Sequence, residues 1–361
     1  AGFSDGAIDV SPRTTGEVNA QSLLDCGESG STLRFMLPLV GALGVNCAFT
    51  GQGLLASRPL SPLYEQLVAH GMTISPQGAF PLTCGGKLCA GRYEIAGNIS
   101  SQFITGLLMA LPLLDGDSEI VVTSRLESKP YVDMTLGVLR QFGIIIGSNS
   151  SGFSVPGNQH PHSPGNLTIE GDWSNAAFWL TAGALGGEVM ECAPLDKASA
   201  QGDRAIVDVL SRMGARVSQG TNSVTVAPAK LNGMELDASD IPDLVPIISV
   251  AAGAAQGDTR ITGVRRLRLK ESDRILSVRA MLSALGVKSD ADDDLLVIHG
   301  RGGVTGGTVD SFNDHRIAMA AAVAGSVASG PVMILGAQSS DKSYPGFFKR
   351  FAALGGRVEE V

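Results

Sequence analysis

The chain has 361 residues, 44% of them hydrophobic, 17% charged and 5% aromatic, with 46 glycines. This length suffices for two ordinary domains, each with its own core. A formal net charge of −8 excludes general attraction to nucleic acid or anionic membranes, so any anion site must be a local basic cluster working against the global sign.

The chain opens on Ala1, in the middle of a pattern, and reads as N-terminally truncated. Gly27-Glu28-Ser29-Gly30-Ser31-Thr32-Leu33-Arg34 precedes an apolar run, Phe35–Val45. Glycine and small hydroxyl residues at a helix start cap it and expose backbone N–H groups that suit an anion. Glu28 opposes an anion there. After the turn Gly51–Gly53, Arg58 stands before Pro59, which holds it extended. Gly97-Asn98-Ile99-Ser100-Ser101-Gln102-Phe103 has the same shape as the first motif and leads into Ile104–Leu114. Its three consecutive hydrogen-bonding side chains, Ser100, Ser101 and Gln102, exceed what one cap needs. Ser124 to Tyr131 (SRLESKPY) reads as a strand-to-helix connection carrying charge and hydroxyl.

The Pro- and Gly-marked loop Gly157–Gly165 is a break, and Gly171-Asp172 opens the next unit. The predicted boundary therefore divides the chain into 1–170 and 171–361. Beyond it, Ile241-Pro242-Asp243 leads into the apolar stretch Leu244–Ala255, with Asp243 either an N-cap or a proton acceptor for a substrate hydroxyl. Lys270-Glu271-Ser272-Asp273-Arg274 places two cations four apart, on one face if this is a helical start. Two such cations invite an anion between them. Ser311-Phe312-Asn313-Asp314-His315-Arg316 adds a planar guanidinium suited to carboxylate or phosphate, and its histidine reads as structural, held by Asp314. Lys342 lies in Asp341-Lys342-Ser343-Tyr344-Pro345, again before a helix. Lys270–Arg274 and Ser311–Arg316, each taken alone, also fit a solvated, salt-bridged surface helix, and the glycine- and serine-rich starts fit simple helix capping.

A repeat runs through these elements. A large apolar residue, three residues and then glycine occur at Leu67–Gly71, Leu139–Gly143, Leu210–Gly214, Leu282–Gly286 and Phe351–Gly355. The glycine spacings are 72, 71, 72 and 69. Each copy predicts a helix end, a glycine cap and a strand starting at once. Units of this length are small α/β layers, two before the break and three after it. The apolar runs Phe35–Val45, Phe103–Leu114 and Ile317–Val327 are too short or broken to span a membrane and read as buried helices. The five cysteines, 26, 47, 84, 89 and 192, predict reduced thiols and a cytoplasmic setting. Cys84 and Cys89 could pair as ligands, but nothing downstream completes a metal site.

The ordered motifs GESGSTLR, SRP, GNISSQF, LESKPY, EGDWS, IPD, LKESDRI, SFNDHR and DKSYP resemble those of the 5-enolpyruvylshikimate-3-phosphate synthase family, from about residue 20 to the C-terminus. The resemblance implies an α/β fold of two domains built from repeated βαβαββ units (an inside-out α/β barrel type) with the site between them. Here one unit is largely missing at the N-terminus. It implies transfer of the enolpyruvyl group of phosphoenolpyruvate to the 5-hydroxyl of shikimate 3-phosphate in aromatic amino-acid biosynthesis, by a monomer without metal or organic cofactor. Ser100, Ser101 and Ser128 are implied for the phosphate of shikimate 3-phosphate, with Gln102 between the substrates. Asp243 and Lys270 would contact the shikimate hydroxyls, Asp243 as base, and Glu271 would transfer the proton at the phosphoenolpyruvate methylene. Arg274 and Arg316 would clamp the phosphoenolpyruvate carboxylate. Arg58 and Lys342 would meet its phosphate, with Gly30 packed against it. The family's Ser-Lys-Ser segment does not occur here, and asparagine is frequent where this chain has Glu28. These 361 residues alone are accordingly expected to be inactive or severely impaired. The competing readings are the sister transferase acting on UDP-N-acetylglucosamine, whose usual cysteine position holds Gly53, and a non-catalytic anion-binding protein.

Overall fold

The computed structural model describes residues 2–4, 7–9 and 22–361. The opening of the chain, where the truncated unit is expected, lies largely outside them. Its two short strands, β1 (Gly2–Ser4) and β2 (Ala7–Asp9), pair antiparallel.

Two complete units follow. The first runs β3 (Ser22–Asp25), α1 (Gly30–Ala42), β4 (Cys47–Thr50), α2 (Leu63–Ala69), β5 (Met72–Ile74) and β6 (Leu82–Gly86). The second runs β7 (Arg92–Ile95), α3 (Ser101–Ala110), β8 (Ser118–Val122), α4 (Lys129–Gln141), β9 (Gly147–Asn149) and β10 (Gly152–Val155). Their sheets have the same plan, β3-β4-β6-β5 and β7-β8-β10-β9. In each the first pair is parallel and the others antiparallel. The third unit comprises α5 (Trp173–Leu185), β11 (Met190–Cys192), α6 (Ile206–Met213), β12 (Arg216–Gln219) and β13 (Val224–Ala227), without a leading strand among the described residues. The fourth is complete: β14 (Glu235–Asp237), α7 (Val245–Ala254), β15 (Gln256–Thr262), α8 (Arg274–Ala284), β16 (Lys288–Ala291) and β17 (Leu295–Arg301). The fifth has β18 (Gly307–Asp310) parallel to β19 (Val332–Leu335), with α9 (His315–Gly325) between them and α10 (Phe347–Ala353) after them. The mixed α/β fold of repeated βαβαββ units is therefore present.

Local chemistry explains the elements. In α6, Ile206, Val209, Leu210 and Met213 are buried, the spacing of one apolar helix face. Asp172 starts α5 by accepting hydrogen bonds from the amides of Ser174 and Asn175. The five repeat glycines all have left-handed φ, from +75° at Gly286 to +107° at Gly71, as caps of this kind require. Two predicted strand starts differ. After Gly143 the chain does not enter β9 until Gly147, because Ile145 exchanges both backbone hydrogen bonds with the Gln159 side chain instead of a sheet neighbour. After Gly355 no strand follows among the described residues.

The buried apolar residues form two clusters, one drawn from Cys26 to Val155 and the other from Trp173 to Phe351. In the first, α1 and α3 are the most intimate helix pair. They meet at Gly106, where an added Cβ would collide with the carbonyl oxygen of Arg34. No helix among the described residues is long and apolar enough to cross a membrane. All five cysteines are free thiols. Cys84 faces Cys47 across β6 and β4, Sγ to Sγ 3.4 Å, and so is no partner for Cys89, which is exposed.

Candidate active site

The close packing of α1 on α3 sets two helix starts side by side. Ser29 caps α1 by accepting from the Thr32 amide at 3.1 Å, and Ser100 caps α3 by accepting from the Gln102 amide at 3.3 Å. Arg34, only 4% exposed, ties the two starts together. Its Nη1 donates to Gln102 Oε1 and its Nη2 to the Pro59 carbonyl, both at 2.8 Å. That bond anchors the turn carrying Arg58, whose φ and ψ of −71° and 135° are the extended conformation expected before proline. Arg58 is not a surface residue: its side chain is 7% exposed and pairs with Glu271 at 3.2 Å.

Gly30 packs directly against this arginine, since a Cβ at that position would lie 2.9 Å from Arg58 Cζ. Gly30→Ala is therefore expected to push the guanidinium out of place. The KM for an anionic substrate bound by Arg58 should rise roughly tenfold, about 1.4 kcal/mol, with little change in thermal stability. Steady-state kinetics with a melting curve check this. An unchanged KM would mean that Arg58 is not used.

The second core supplies the other wall. Lys270 and Arg274 do not share a helix face as predicted. Lys270 ends a short 3-10 turn, Asp273 caps the helix, and Arg274 is its first residue. They converge nonetheless, because both reach Asp243, Lys270 Nζ at 3.3 Å and Arg274 Nη1 at 2.6 Å. Arg316 reaches the other oxygen of Asp243 at 3.1 Å. Asp243 is not an N-cap; it sits in the 3-10 turn before α7 and makes no cap hydrogen bond. Arg274, 1% exposed, is also held by Glu271 at 2.8 Å and by Asp314 at 2.8 Å. Asp314 thus belongs to Arg274 and to the start of α9, where it accepts from the Arg316 amide. The expected grip on His315 is absent: the separation is 3.9 Å and His315 Nδ1 has no hydrogen-bond partner. Burial, with Arg316 adjacent, pulls His315 down to about 4.

The electrostatics follow from this sharing. Burial alone would raise Asp243, but Arg316, Lys270 and Arg274 outweigh it and hold the carboxyl well below the ordinary range. Glu271 is held low in the same way, by Arg274, Arg58 and Lys270 against burial. The cations expected to need an external anion thus already have internal counter-ions. Arg316 is the least satisfied: it is 8% exposed, and its Nε and Nη1 have no hydrogen-bond partner among the described residues. Unpartnered buried cationic donors are costly and mark a place built for an anion.

Between the walls is a cavity of ≈ 440 Å³ lined by Arg34, Arg58, Ser100, Ser101, Gln102, Ser128, Tyr131, Asp243, Arg266 and Lys270, among others. Most of the residues singled out from the sequence border it or contact those that do. Glu271, Arg274, Arg316 and Gly30 lie behind its lining, in contact with Arg58 or Asp243. Lys342 stands apart, on Glu28 at 2.7 Å. Ser128 has left-handed backbone at φ 55° and ψ 35°. Its hydroxyl accepts from Arg266 Nη2 at 2.9 Å, and the same nitrogen donates to the Ser239 carbonyl at 2.8 Å. Arg266, also paired with Glu127, was not singled out from the sequence. Nor was Asp203, 1% exposed, which accepts from Ser174 and Tyr131. Burial and the nearby Asp243 push it up to about 6.

A cleft of paired cations between two βαβαββ cores suits the joining of two small anions. A model of the family "EPSP synthase (3-phosphoshikimate 1-carboxyvinyltransferase)" matches residues 5–351. The chain belongs to this family. It is 45% identical over 337 residues to the 3-phosphoshikimate 1-carboxyvinyltransferase of Clostridium kluyveri, covering 93% of this chain and 79% of the relative. It is 41% identical over 357 residues to the enzyme of that name from Brachyspira hyodysenteriae, covering 98% and 84%. Among solved structures it resembles the EPSP synthase of Acinetobacter baumannii, with TM-score 0.76, 25% identity and coverage of 94% and 80%. The enolpyruvyl transferase NikO from Streptomyces tendae shares the fold, with TM-score 0.71 and 20% identity over 90% and 76% of the two chains. As a member of the EPSP synthase family the chain is a 3-phosphoshikimate 1-carboxyvinyltransferase, a transferase of aromatic amino-acid biosynthesis.

Proposed function

We propose that the cavity joins shikimate 3-phosphate to phosphoenolpyruvate as the family motifs imply, with residues 1–170 holding the first substrate and 171–361 the carboxylate clamp. The observation that carries this reading is Arg316: a buried guanidinium with two unpartnered nitrogens, beside Arg274 and sharing Asp243 with it. Ser100, Ser101 and Ser128 take the phosphate of shikimate 3-phosphate, with Gln102, oriented by Arg34, between the substrates. Arg274 and Arg316 take the phosphoenolpyruvate carboxylate, and Arg58 and Lys342 its phosphate.

On this reading the substrates switch on the catalytic groups. As the incoming carboxylate draws Arg274 and Arg316, Asp243 loses the charges that suppress it and becomes basic enough to accept the proton of the 5-hydroxyl, beside Lys270. As the phosphate draws Arg58, Glu271 rises too, takes up a proton from solvent and delivers it to the phosphoenolpyruvate methylene, making it a methyl group. The hydroxyl oxygen bonds to the neighbouring carbon, giving a tetrahedral adduct. Glu271 then takes back a methyl proton as phosphate leaves with the proton held by Asp243, which restores the double bond in the product and both carboxyl groups to their starting states. The fixed cations cancel the repulsion between two multiply charged substrates. The protein acts as a monomer in the cytoplasm, with no cofactor.

A coupled assay for phosphate release, requiring both substrates, tests the reaction. The same assay applied to these 361 residues tests the expectation that they turn over poorly alone; near-normal turnover would show a Ser-Lys-Ser segment to be dispensable.

A further inference from the structure

Glu28 is a charged residue of the first motif to which the proposed reaction gives no task. It lies between β3 and α1, in the first half of the molecule, but its partners are in the second. Its carboxylate accepts from Asn313 Nδ2 at 3.0 and 3.2 Å and from Lys342 Nζ at 2.7 Å. Lys342 also donates to the Asn313 carbonyl at 2.6 Å, so two of its three donors are committed. This is a built arrangement. Phe312 and Asn313 both have left-handed φ, 51° and 55°, an uncommon conformation for non-glycine residues that needs support. Bonds from the Phe312 amide to Asp310 and from the Asn313 amide to Ser311 supply it. The turn thereby presents both the amide side chain and the carbonyl of Asn313 to the ion pair. On the other side Gly53 makes room: a Cβ there would sit 2.9 Å from Glu28 Cδ. Both side chains of the pair are about three-quarters buried, at 28% and 26% exposure. Burial would raise the carboxyl, but Lys342 and Asn313 hold Glu28 below its ordinary value, so it is ionised at neutral pH.

We propose that Glu28 is a cross-cleft counter-ion that competes with the phosphate of phosphoenolpyruvate for Lys342, and so sets this enzyme's affinity for that substrate on the weak side. The inference rests on the reading that Lys342 meets the phosphate. A dianion arriving at Lys342 meets a neutralised cation with a carboxylate on its far side, and like charges at such range in a partly dry cleft repel strongly. The carboxylate also joins the two halves through Asn313 and Lys342, so the phosphate replaces one link between them with another.

Glu28→Gln removes the charge and keeps the shape and a carbonyl acceptor. At saturating shikimate 3-phosphate, the KM for phosphoenolpyruvate is expected to fall roughly tenfold, the scale of one nearby like charge removed from a half-buried anion site. The KM for shikimate 3-phosphate should be unchanged. Lys342→Met should raise the phosphoenolpyruvate KM, and in the double variant the gain from Glu28→Gln should disappear. A higher phosphoenolpyruvate KM in Glu28→Gln would overturn the proposal, because Glu28 would then be holding Lys342 in its productive place. Loss of affinity for both substrates would overturn it too, making Glu28 a tie between the halves. An unchanged KM in Lys342→Met would instead refute the assignment of Lys342 to the phosphate.

Discussion

Arg274→Met is expected to destabilise the protein by ~3–5 kcal/mol, the cost of removing one partner from a buried ion pair and leaving the others uncompensated. Three carboxylates lean on this one side chain: Asp314, itself fully buried, Asp243 and Glu271. Methionine fills much of the same space, so the loss is electrostatic more than steric. The sign with pH follows from the carboxyls. In the native fold Asp314, Asp243 and Glu271 are all held below their ordinary values, by cations that outweigh burial. Such groups contribute stability that is complete above their unfolded pKa, near 4, and is lost as the pH falls through the lower native values. Without Arg274 the native values rise, so the variant should begin to unfold at a higher pH than the parent. Denaturant unfolding at pH 7 and an acid titration followed by circular dichroism measure both effects. A variant as stable as the parent at pH 7 would mean that the remaining cations, Lys270, Arg316 and Arg58, can carry all three carboxylates.

Arg316→Lys is expected to weaken phosphoenolpyruvate binding roughly ten- to a hundredfold while leaving shikimate 3-phosphate binding intact, since hydrogen bonds to charged groups are each worth about 1.5–3 kcal/mol. Lysine retains the charge and can still pair with Asp243. It cannot offer the planar array of donors of which two are unpartnered here, and a point charge does not orient a carboxylate. The serines assigned to shikimate 3-phosphate do not depend on Arg316 for any hydrogen bond. Calorimetric titration of each ligand separately distinguishes the outcomes. Equal weakening of both would show that Arg316 supports the cleft as a whole and does not clamp the carboxylate.

What was legible in the sequence was what depends on neighbours along the chain. The five left-handed glycines and the extended Arg58 before proline follow from local sterics and capping, and the repeat made the glycines consistent. The approach of Lys270, Arg274 and Arg316 was legible only as an accumulation of cations. Their carboxylate partners were not, because adjacency says nothing about direction. Asp314 looked like the partner of His315, yet as the cap of α9 its carboxylate lies over the helix start and meets Arg274 from another unit. Arg266 was hidden among three arginines in four residues, Arg265, Arg266 and Arg268. The 3-10 turn there sends Arg265 and Arg268 outward to Asp293 and Asp273 and leaves Arg266 inside, against Ser128 and Glu127. Only the backbone geometry separates one arginine from the other two.

Gly106 carries no chemistry and touches no charged group of the cleft, but it fixes how near α1 lies to α3, and so how sharply the two helix starts, at Gly30 and Ser101, point at one spot. A methyl group there would act as a wedge, splaying two partly positive helix ends and loosening the hold of Arg34 on Gln102 and on the Arg58 turn together. The grip on anions is thus calibrated from the buried seam behind the site. Drift in residues that never meet a ligand can retune it, and a search for altered substrate or inhibitor response confined to the cavity lining would miss that route.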